Sequence, residues 1–118
     1  MPPNPVRLLH QPVSRSELAE IAAQGFGDMV KAVVDVRRAI MAVGGELLSD
    51  AEAALLDDRS LQVDLWGINL YPSEQTDDWI EFDSMINVRP AQGNRSRSVE
   101  DGALRADIVR ILRSNVIN

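Results

Sequence analysis

The sequence predicts an α+β domain in which an antiparallel sheet of about four strands is flanked by an N-terminal helix and a C-terminal amphipathic helix. Two observations carry this prediction. Apolar and polar residues alternate over most of Trp79 to Val88, as in a half-buried strand. Apolar residues recur at helical spacing from Asp101 to Val116. The 118 residues suffice for one domain with its own core.

The N-terminal region divides at its prolines. Residues 1–13 hold four of the six prolines, so we expect a flexible arm there and a single domain over residues 14–118. Ser14 and Glu17 form a capping-box pattern ahead of Leu18. It predicts a first helix from Ser16 to Gln24, which Gly25 ends.

Two stretches in the middle of the chain fit more than one structure. Met29–Val43 has apolar residues at helical spacing, but its valines favour a hairpin with Arg37 and Arg38 at the turn. Glu46–Leu56 alternates weakly as a strand would, yet its alanines and leucines also suit a helix. Both alternatives remain open for each stretch.

Two strands are predicted after this region. Leu61–Tyr71 is rich in β-branched and aromatic residues, and Trp79–Val88 is the clearest strand, ended by Pro90. The two helices are expected to cover one apolar sheet face. The other face would then be polar. It is expected to carry Asp50, Glu52, Asn69, Glu81 and Asn87, with Arg89 and Arg95 at its rim.

Composition excludes several classes of function. There are no cysteines, and His10 is the only histidine, so disulfides, thiolate sites, a multi-histidine zinc site and a Ser-His-Asp hydrolase are not expected. No apolar run predicts a signal peptide or a membrane helix, so we expect a cytoplasmic protein. The net charge of −6 makes nucleic acid an unlikely partner. Residues 89–118 nevertheless hold six basic against three acidic residues.

Several short patterns together resemble a family of small prokaryotic proteins catalogued as a domain of unknown function. The patterns are Gly44-Gly45-Glu46-Leu47, Asp50-x-Glu52, Asp64-x-Trp66-Gly67-x-Asn69-x-Tyr71-Pro72, Ile86-Asn87-x-Arg89-Pro90 and Gly93-Asn94-Arg95-Ser96. The resemblance covers about Phe26 to Leu112. It implies a compact domain that contains a sheet, and it implies no activity.

Two departures from the family pattern bear on structure and chemistry. Members often have a histidine where Leu48 stands, so any proton or metal chemistry of that histidine is lost in this chain. Members also tend to have a glycine where Arg59 stands. A glycine there suits a turn with positive φ, which favours strands on both sides of Asp57–Ser60. The same comparison favours the hairpin for Met29–Val43.

The predicted binding surface is the donor-rich loop that follows the alternating strand. Such a loop on a rigid element is how many binding sites are built. The candidate ligand-binding residues are Asn69, Asn87, Arg89, Gln92, Asn94, Arg95 and Ser96. Gly93–Ser96 lacks the spacing of a phosphate loop, but its backbone is suited to a nest that holds an anion beside Arg95 and Arg97. The structural alternative is a loop that satisfies its own backbone and caps the last helix.

Two functional hypotheses follow. The first is a non-enzymatic binding or interaction module without a cofactor, which takes an anionic ligand or a protein partner through this loop. An exposed strand edge is also compatible with a homodimer. The alternative is a hydrolase-like enzyme that depends on Mg²⁺ or another divalent cation, held by Asp50, Glu52 and Glu81 at strand spacing. Gly67 inside a strand marks either a close approach or room for an aromatic neighbour such as Trp79 or Phe82.

Overall fold

The computed structural model describes residues 6–9 and 11–117, apart from the side chain of Asp77. Its centre is a five-stranded antiparallel sheet with the strand order β1-β4-β3-β5-β6. These strands are β1 (Arg7–Leu9), β3 (Val30–Asp35), β4 (Ile40–Val43), β5 (Leu65–Leu70) and β6 (Ile80–Glu81). The remaining strands, β2 (Val13–Ser14) and β7 (Val116–Ile117), form a separate parallel pair. The α+β class is therefore confirmed, with one more strand in the sheet than predicted.

Three helices pack against the sheet: α1 (Arg15–Gln24), α2 (Leu48–Asp57) and α3 (Gly102–Asn115). The capping residue predicted for α1 is confirmed, since Ser14 Oγ accepts a hydrogen bond of 3.1 Å from the Glu17 N–H. Asp101 caps α3 in the same way through the Ala103 N–H at 2.9 Å. No helix in the described part of the chain is long and apolar enough to cross a membrane.

The two predicted helices share one sheet face, as expected. Leu18 of α1 and Ile108 and Leu112 of α3 are fully buried in one apolar cluster. The same cluster contains Ile68 of β5 and the residues that alternate with it on the neighbouring strands. Because side chains alternate across a strand, the intervening residues point to the second face.

The second face differs from the prediction, because a third helix covers much of it. Val33, Ala42 and Leu65 pack there against Leu48, Ala51 and Leu55 of α2. The strand considered for Glu46–Leu56 is therefore wrong, and so is the hairpin placed at Asp57–Ser60. Leu48, Ala51 and Leu55 recur at intervals of three and four, so a helix buries all three on one side, whereas a strand would divide them between two.

The position at which a glycine was favoured does have a glycine-like backbone conformation. It lies at the end of helix α2, however, and not in a hairpin turn. Arg59 has a φ of 77°. The Ser60 N–H donates to Leu55 O at 2.9 Å and the Arg59 N–H to Leu56 O at 3.1 Å. These two bonds define a Schellman motif, which places the residue after the helix cap in the left-handed region. A glycine is favoured there for the reason expected, but in a different element.

The hairpin of Met29–Val43 is confirmed, and the flexible arm is only partly compatible with the structure. β3 and β4 pair in register from Ala32 opposite Val43 to Asp35 opposite Ile40. Arg7–Leu9, which fall within the predicted arm, pair with β4 as an edge strand. Leu9 is 3% exposed in the core, and this burial explains why the segment joins the sheet. The rest of the arm up to residue 5, together with His10, lies outside the described residues.

The strand predicted for Trp79–Val88 is mostly wrong. Only Ile80–Glu81 pair with β5, and a 3-10 turn spans Met85–Asn87. Ser84 ends the extended stretch because its Oγ accepts from the Ile86 N–H at 3.3 Å. The chain then crosses the second sheet face, with Ile86 packed against the cluster beneath α2. This crossing segment positions the candidate site.

Candidate functional site

Asn87 holds the crossing segment to the sheet through a pair of hydrogen bonds. Its Oδ1 accepts from the Gly67 N–H at 2.8 Å, and its Nδ2 donates to Gly67 O at 3.0 Å. The same Nδ2 donates to Arg97 O at 2.9 Å. Asn87 is fully buried. Its amide therefore replaces the backbone partner that a longer β6 would have given to Gly67.

Gly67 permits this close approach. A Cβ at this position would lie 2.6 Å from Ser84 Oγ and also collide with the side chain of Leu48. The glycine therefore makes room for a serine and a leucine, and the aromatic neighbours named from the sequence are not the ones it accommodates.

Asn94 organises the loop that follows, from inside it. Its Nδ2 donates to the carbonyls of Asn87 and Ser98, both at 2.7 Å. Its Oδ1 accepts from the Glu100 N–H at 2.9 Å. Asn94 is 5% exposed, so its polar atoms are used within the protein.

Arg89 joins this loop to the start of β5. Its guanidinium stacks on Trp66 at 4.4 Å from the ring centroid and donates to the carbonyls of Gln62, Leu65 and Ile86. Burial lowers the pKa of Arg89, and the nearby Glu52 carboxylate opposes that shift. Gln92 adds a bond of 3.1 Å to Val63 O. Both side chains are therefore turned towards the protein backbone.

Two backbone N–H groups and one hydroxyl of the loop form a small nest, which the protein's own carboxylate occupies. Glu100 Oε2 accepts from the Arg95 N–H at 2.9 Å and from both the N–H and the Oγ of Ser96 at 2.8 Å. These hydrogen bonds lower the pKa of Glu100, with the Ser96 hydroxyl contributing most. The segment thus satisfies itself immediately before α3, as the structural alternative for this loop requires.

The structure brings together most of the residues predicted for the site, with their polar groups hydrogen-bonded within the protein. Asn87, Arg89, Gln92, Asn94 and Ser96 belong to one connected loop network. Asn69 lies apart on β5, where its Nδ2 donates to Glu81 Oε1 at 2.7 Å. Whether any of these residues binds a ligand stays a prediction.

The three acids of the metal hypothesis have separate structural roles. Asp50 Oδ2 accepts from the Leu47 N–H at 3.1 Å at the start of α2. Glu52 lies two residues further along α2, and Glu81 binds Asn69 and the Tyr71 hydroxyl on the sheet. Within the described residues, no group of three acidic, histidine or cysteine side chains is placed to hold a metal ion. The convergence that the metal-dependent alternative requires is therefore not found there.

A groove of about 400 Å³ lies beside the loop, over the part of the second sheet face that α2 leaves open. Its lining includes Lys31 and Asn69 from the sheet, Leu47–Ser49 from the start of α2, Asp83–Ile86 from the crossing segment, and Arg97. Arg97 forms an ion pair of 2.7 Å with Asp83. The volume falls in the range of ligand-binding clefts, about 300–1,000 Å³.

Large apolar side chains surround this groove without being buried. Met85 is 66% exposed, Leu47 61% and Phe26 46%. Leu47 and Met85 line the groove, and the Phe26 ring lies 5.1 Å from Lys31 Nζ, so the three are joined through the groove. Exposed apolar side chains that cluster around a concave surface are typical of contact sites.

Lys31, Leu47 and Met85 are not among the residues predicted for the site. Lys31 alternates with buried valines on β3 and reads as an ordinary solvent-facing strand residue. One signal was available at Leu47, which occupies the N-cap of α2 although leucine has no side-chain acceptor for the helix N–H groups. The helix itself had to be recognised before that anomaly could be seen.

Two other concavities lie elsewhere on the surface. One, of about 410 Å³, is lined by Tyr71, Ser73 and three acids, Asp28, Glu74 and Asp78. Burial and the Glu81 charge raise the pKa of Tyr71, so its hydroxyl stays protonated at neutral pH. The other is an apolar cleft of about 230 Å³ between β6 and α3, lined by Trp79, Phe82 and Leu112.

Comparison with known proteins places the chain in a domain family of unknown function. A family model described as "Protein of unknown function (DUF5674)" matches residues 7–115. No curated protein and no solved structure matches the chain. The match runs from the edge strand β1 to the last residue of α3, so it includes the whole sheet and all three helices. The chain therefore belongs to the DUF5674 family.

Proposed function

We propose that this protein is a non-enzymatic binding module whose contact surface is the groove between α2 and the crossing segment. One observation carries the proposal: Leu47 and Met85 are mostly exposed on the lining of a groove that also contains Lys31. Full burial of an apolar side chain of this size contributes about 1.5–3 kcal/mol relative to leaving it in water. A partner that covers them recovers part of it.

The loop of residues 89–97, first considered as the contact surface, supports the groove in this proposal. Its polar side chains bind backbone groups of β5, of the crossing segment and of the loop itself. A wall held in this way loses little conformational freedom when a ligand binds, which favours affinity. Of the residues predicted for the site, Asn69 lines the groove directly, and the others hold its wall in place.

The groove's polar groups are suited to recognition. Ser84 Oγ accepts from the backbone of its own turn, and the Asp83 carboxylate is paired with Arg97. Among the described residues of the lining, a nucleophile is not paired with a general base, which acyl or phosphoryl transfer would require. Binding therefore agrees better with this surface than catalysis does.

A titration followed by ¹H–¹⁵N NMR tests the proposal with small probes. Hexanoate offers an apolar tail and a carboxylate, hexylammonium offers the tail with the opposite charge, and acetate lacks the tail. We expect hexanoate to shift the amides of Lys31, Leu47–Ser49 and Met85–Ile86. Acetate and hexylammonium should produce smaller shifts at the same amides.

Two variants of similar exposure make the result specific. Met85→Ser removes an apolar side chain of the groove, and Val63→Ser removes one that is 56% exposed and not on its lining. Weaker hexanoate binding in Met85→Ser and unchanged binding in Val63→Ser would support the groove. Shifts confined to the apolar cleft at Trp79 and Leu112, or equal effects of the two variants, would overturn it.

A further inference from the structure

We propose that the natural occupant of the groove is an acidic peptide segment of a partner protein, which seats an apolar side chain against Leu47 and Met85 and a carboxylate on Lys31. This inference rests on the proposed function and specifies the class of partner. It is argued from the charge of the groove, the position of its apolar rim and a free acceptor on its floor.

The charge of the groove is opposite in sign to that of the chain. Its charged lining residues are two cations, Lys31 and Arg97, and one carboxylate, Asp83, which leaves one positive charge in excess. The whole chain has a net charge of −6. An acidic segment is therefore repelled by most of the surface and attracted here, which fixes where it docks.

Lys31 supplies the excess charge. Arg97 already pairs with Asp83, whereas Lys31 forms no ion pair with any described residue. Its Nζ lies over the Phe26 ring at 5.1 Å. Phe26 is itself exposed, so this contact leaves the ammonium group accessible from the groove. A carboxylate that reaches Lys31 gains a charge-assisted hydrogen bond.

A peptide fits the remaining features better than a compact ion. Leu47 and Met85 are exposed on the lining and the exposed Phe26 contacts Lys31, so the apolar contact area extends beyond the cavity itself. Methionine adapts its shape to different partners and is common on peptide-binding surfaces. On the floor, Asn69 donates its amide to Glu81, while its Oδ1 accepts no hydrogen bond from the described residues. That oxygen is a ready acceptor for a peptide N–H.

Three blocked tetrapeptides with a fluorescent label test the inference by anisotropy. The acidic one is acetyl-Glu-Leu-Leu-Asp-amide, the neutral one has Gln and Asn in place of the acids, and the basic one has Lys at both positions. The wild-type protein should bind the acidic peptide about fivefold more tightly than the neutral one, the upper range for a partly exposed ion pair. The basic peptide should bind most weakly.

Charge reversal at Lys31 is expected to reverse the preference between the acidic and basic peptides. Unfolding would abolish binding and could not reverse this preference. Lys31→Glu should bind the basic peptide more tightly than the acidic one, whereas the control Arg37→Glu, at the exposed β3–β4 turn, should keep the wild-type order. An unchanged preference in Lys31→Glu would overturn the inference. Amide shifts at the groove that depend on protein concentration without peptide would also overturn it, by identifying a second copy as the occupant.

Failure of this inference is distinguishable from failure of the proposed function. If hexanoate shifts the groove amides but the acidic and neutral peptides bind equally, the groove remains the contact surface and only the class of partner is wrong. If hexanoate does not shift those amides and no peptide binds, the proposed function itself is wrong.

Discussion

At the scale of single residues, Gly67 shows how one missing side chain positions the site. A Cβ there would lie within 3.0 Å of Ser84 Oγ, so the crossing segment would have to move away from β5. Gly67→Ala is expected to lower the free energy of unfolding by about 1–3 kcal/mol, as overpacking does. Urea denaturation measures the change.

Gly102→Ala is the matched control for this substitution, because nothing lies within 4 Å of a Cβ at that exposed helix start. It should leave the free energy of unfolding unchanged or raise it slightly. Equal losses in the two variants would mean that the crossing segment does not pack on Gly67.

Glu100 makes the stability of the loop depend on pH. Its hydrogen bonds lower its pKa in the folded state below the ordinary value of 4.5. A carboxyl group with a lowered folded pKa stabilises the protein above its unfolded pKa, and this contribution is lost as pH falls through the folded pKa. The melting temperature of Glu100→Gln should therefore lie below that of wild type at neutral pH. The difference in melting temperature between wild type and Glu100→Gln should become smaller as pH falls below about 4.3.

Ser96→Ala refines this prediction, because the Ser96 hydroxyl makes the largest contribution to the lowered pKa of Glu100. An NMR titration of the Glu100 side-chain carboxyl should show a higher pKa in Ser96→Ala than in wild type. If the difference in melting temperature between wild type and Glu100→Gln is the same at every pH, the claim that the Glu100 carboxylate occupies the nest is contradicted.

At the scale of elements, the end of α2 carries a strain that a glycine would relieve. Arg59 adopts a φ of 77°, and a side chain in the left-handed region costs about 1–2 kcal/mol. Arg59→Gly should therefore raise the free energy of unfolding by about 1 kcal/mol after its own entropy cost. Arg37→Gly, at a turn position without positive φ, should lower it. If both variants have a lower free energy of unfolding than wild type, the claim that Arg59 is strained at the end of α2 is contradicted.

The elements also show what local sequence can and cannot predict. α1 and α3 were predictable because each combines a capping residue with apolar residues at helical spacing. α2 was not predictable, because its alanines fit both the strand repeat and the helix repeat. Only packing against Val33 and Leu65 of the sheet favours the helix over the strand. The strand predicted for Trp79–Val88 was mostly wrong because the side chain of Asn87 takes the place of a backbone strand partner. The alternation of residues does not reveal this replacement.

At the scale of the whole molecule, the site arises from how unevenly the two sheet faces are covered. α1 and α3 cover one face, while α2 and the crossing segment cover the other only in part and leave a groove between them. The donor-rich loop was recognisable from its residues, and Glu100, which accepts its hydrogen bonds, lies only four residues after Ser96. The exposure of Leu47 and Met85 depends on how distant segments pack, which no local pattern encodes.

The most direct test compares the affinity of the acidic tetrapeptide for two variants that each remove one positive charge. Lys31→Gln changes the groove, and Arg95→Gln changes the exposed tip of the loop. If the groove binds and the loop only supports it, Lys31→Gln weakens binding about fivefold and Arg95→Gln leaves it as in wild type. The opposite outcome, in which Arg95→Gln loses binding and Lys31→Gln retains it, would make the loop the contact surface and contradict the groove.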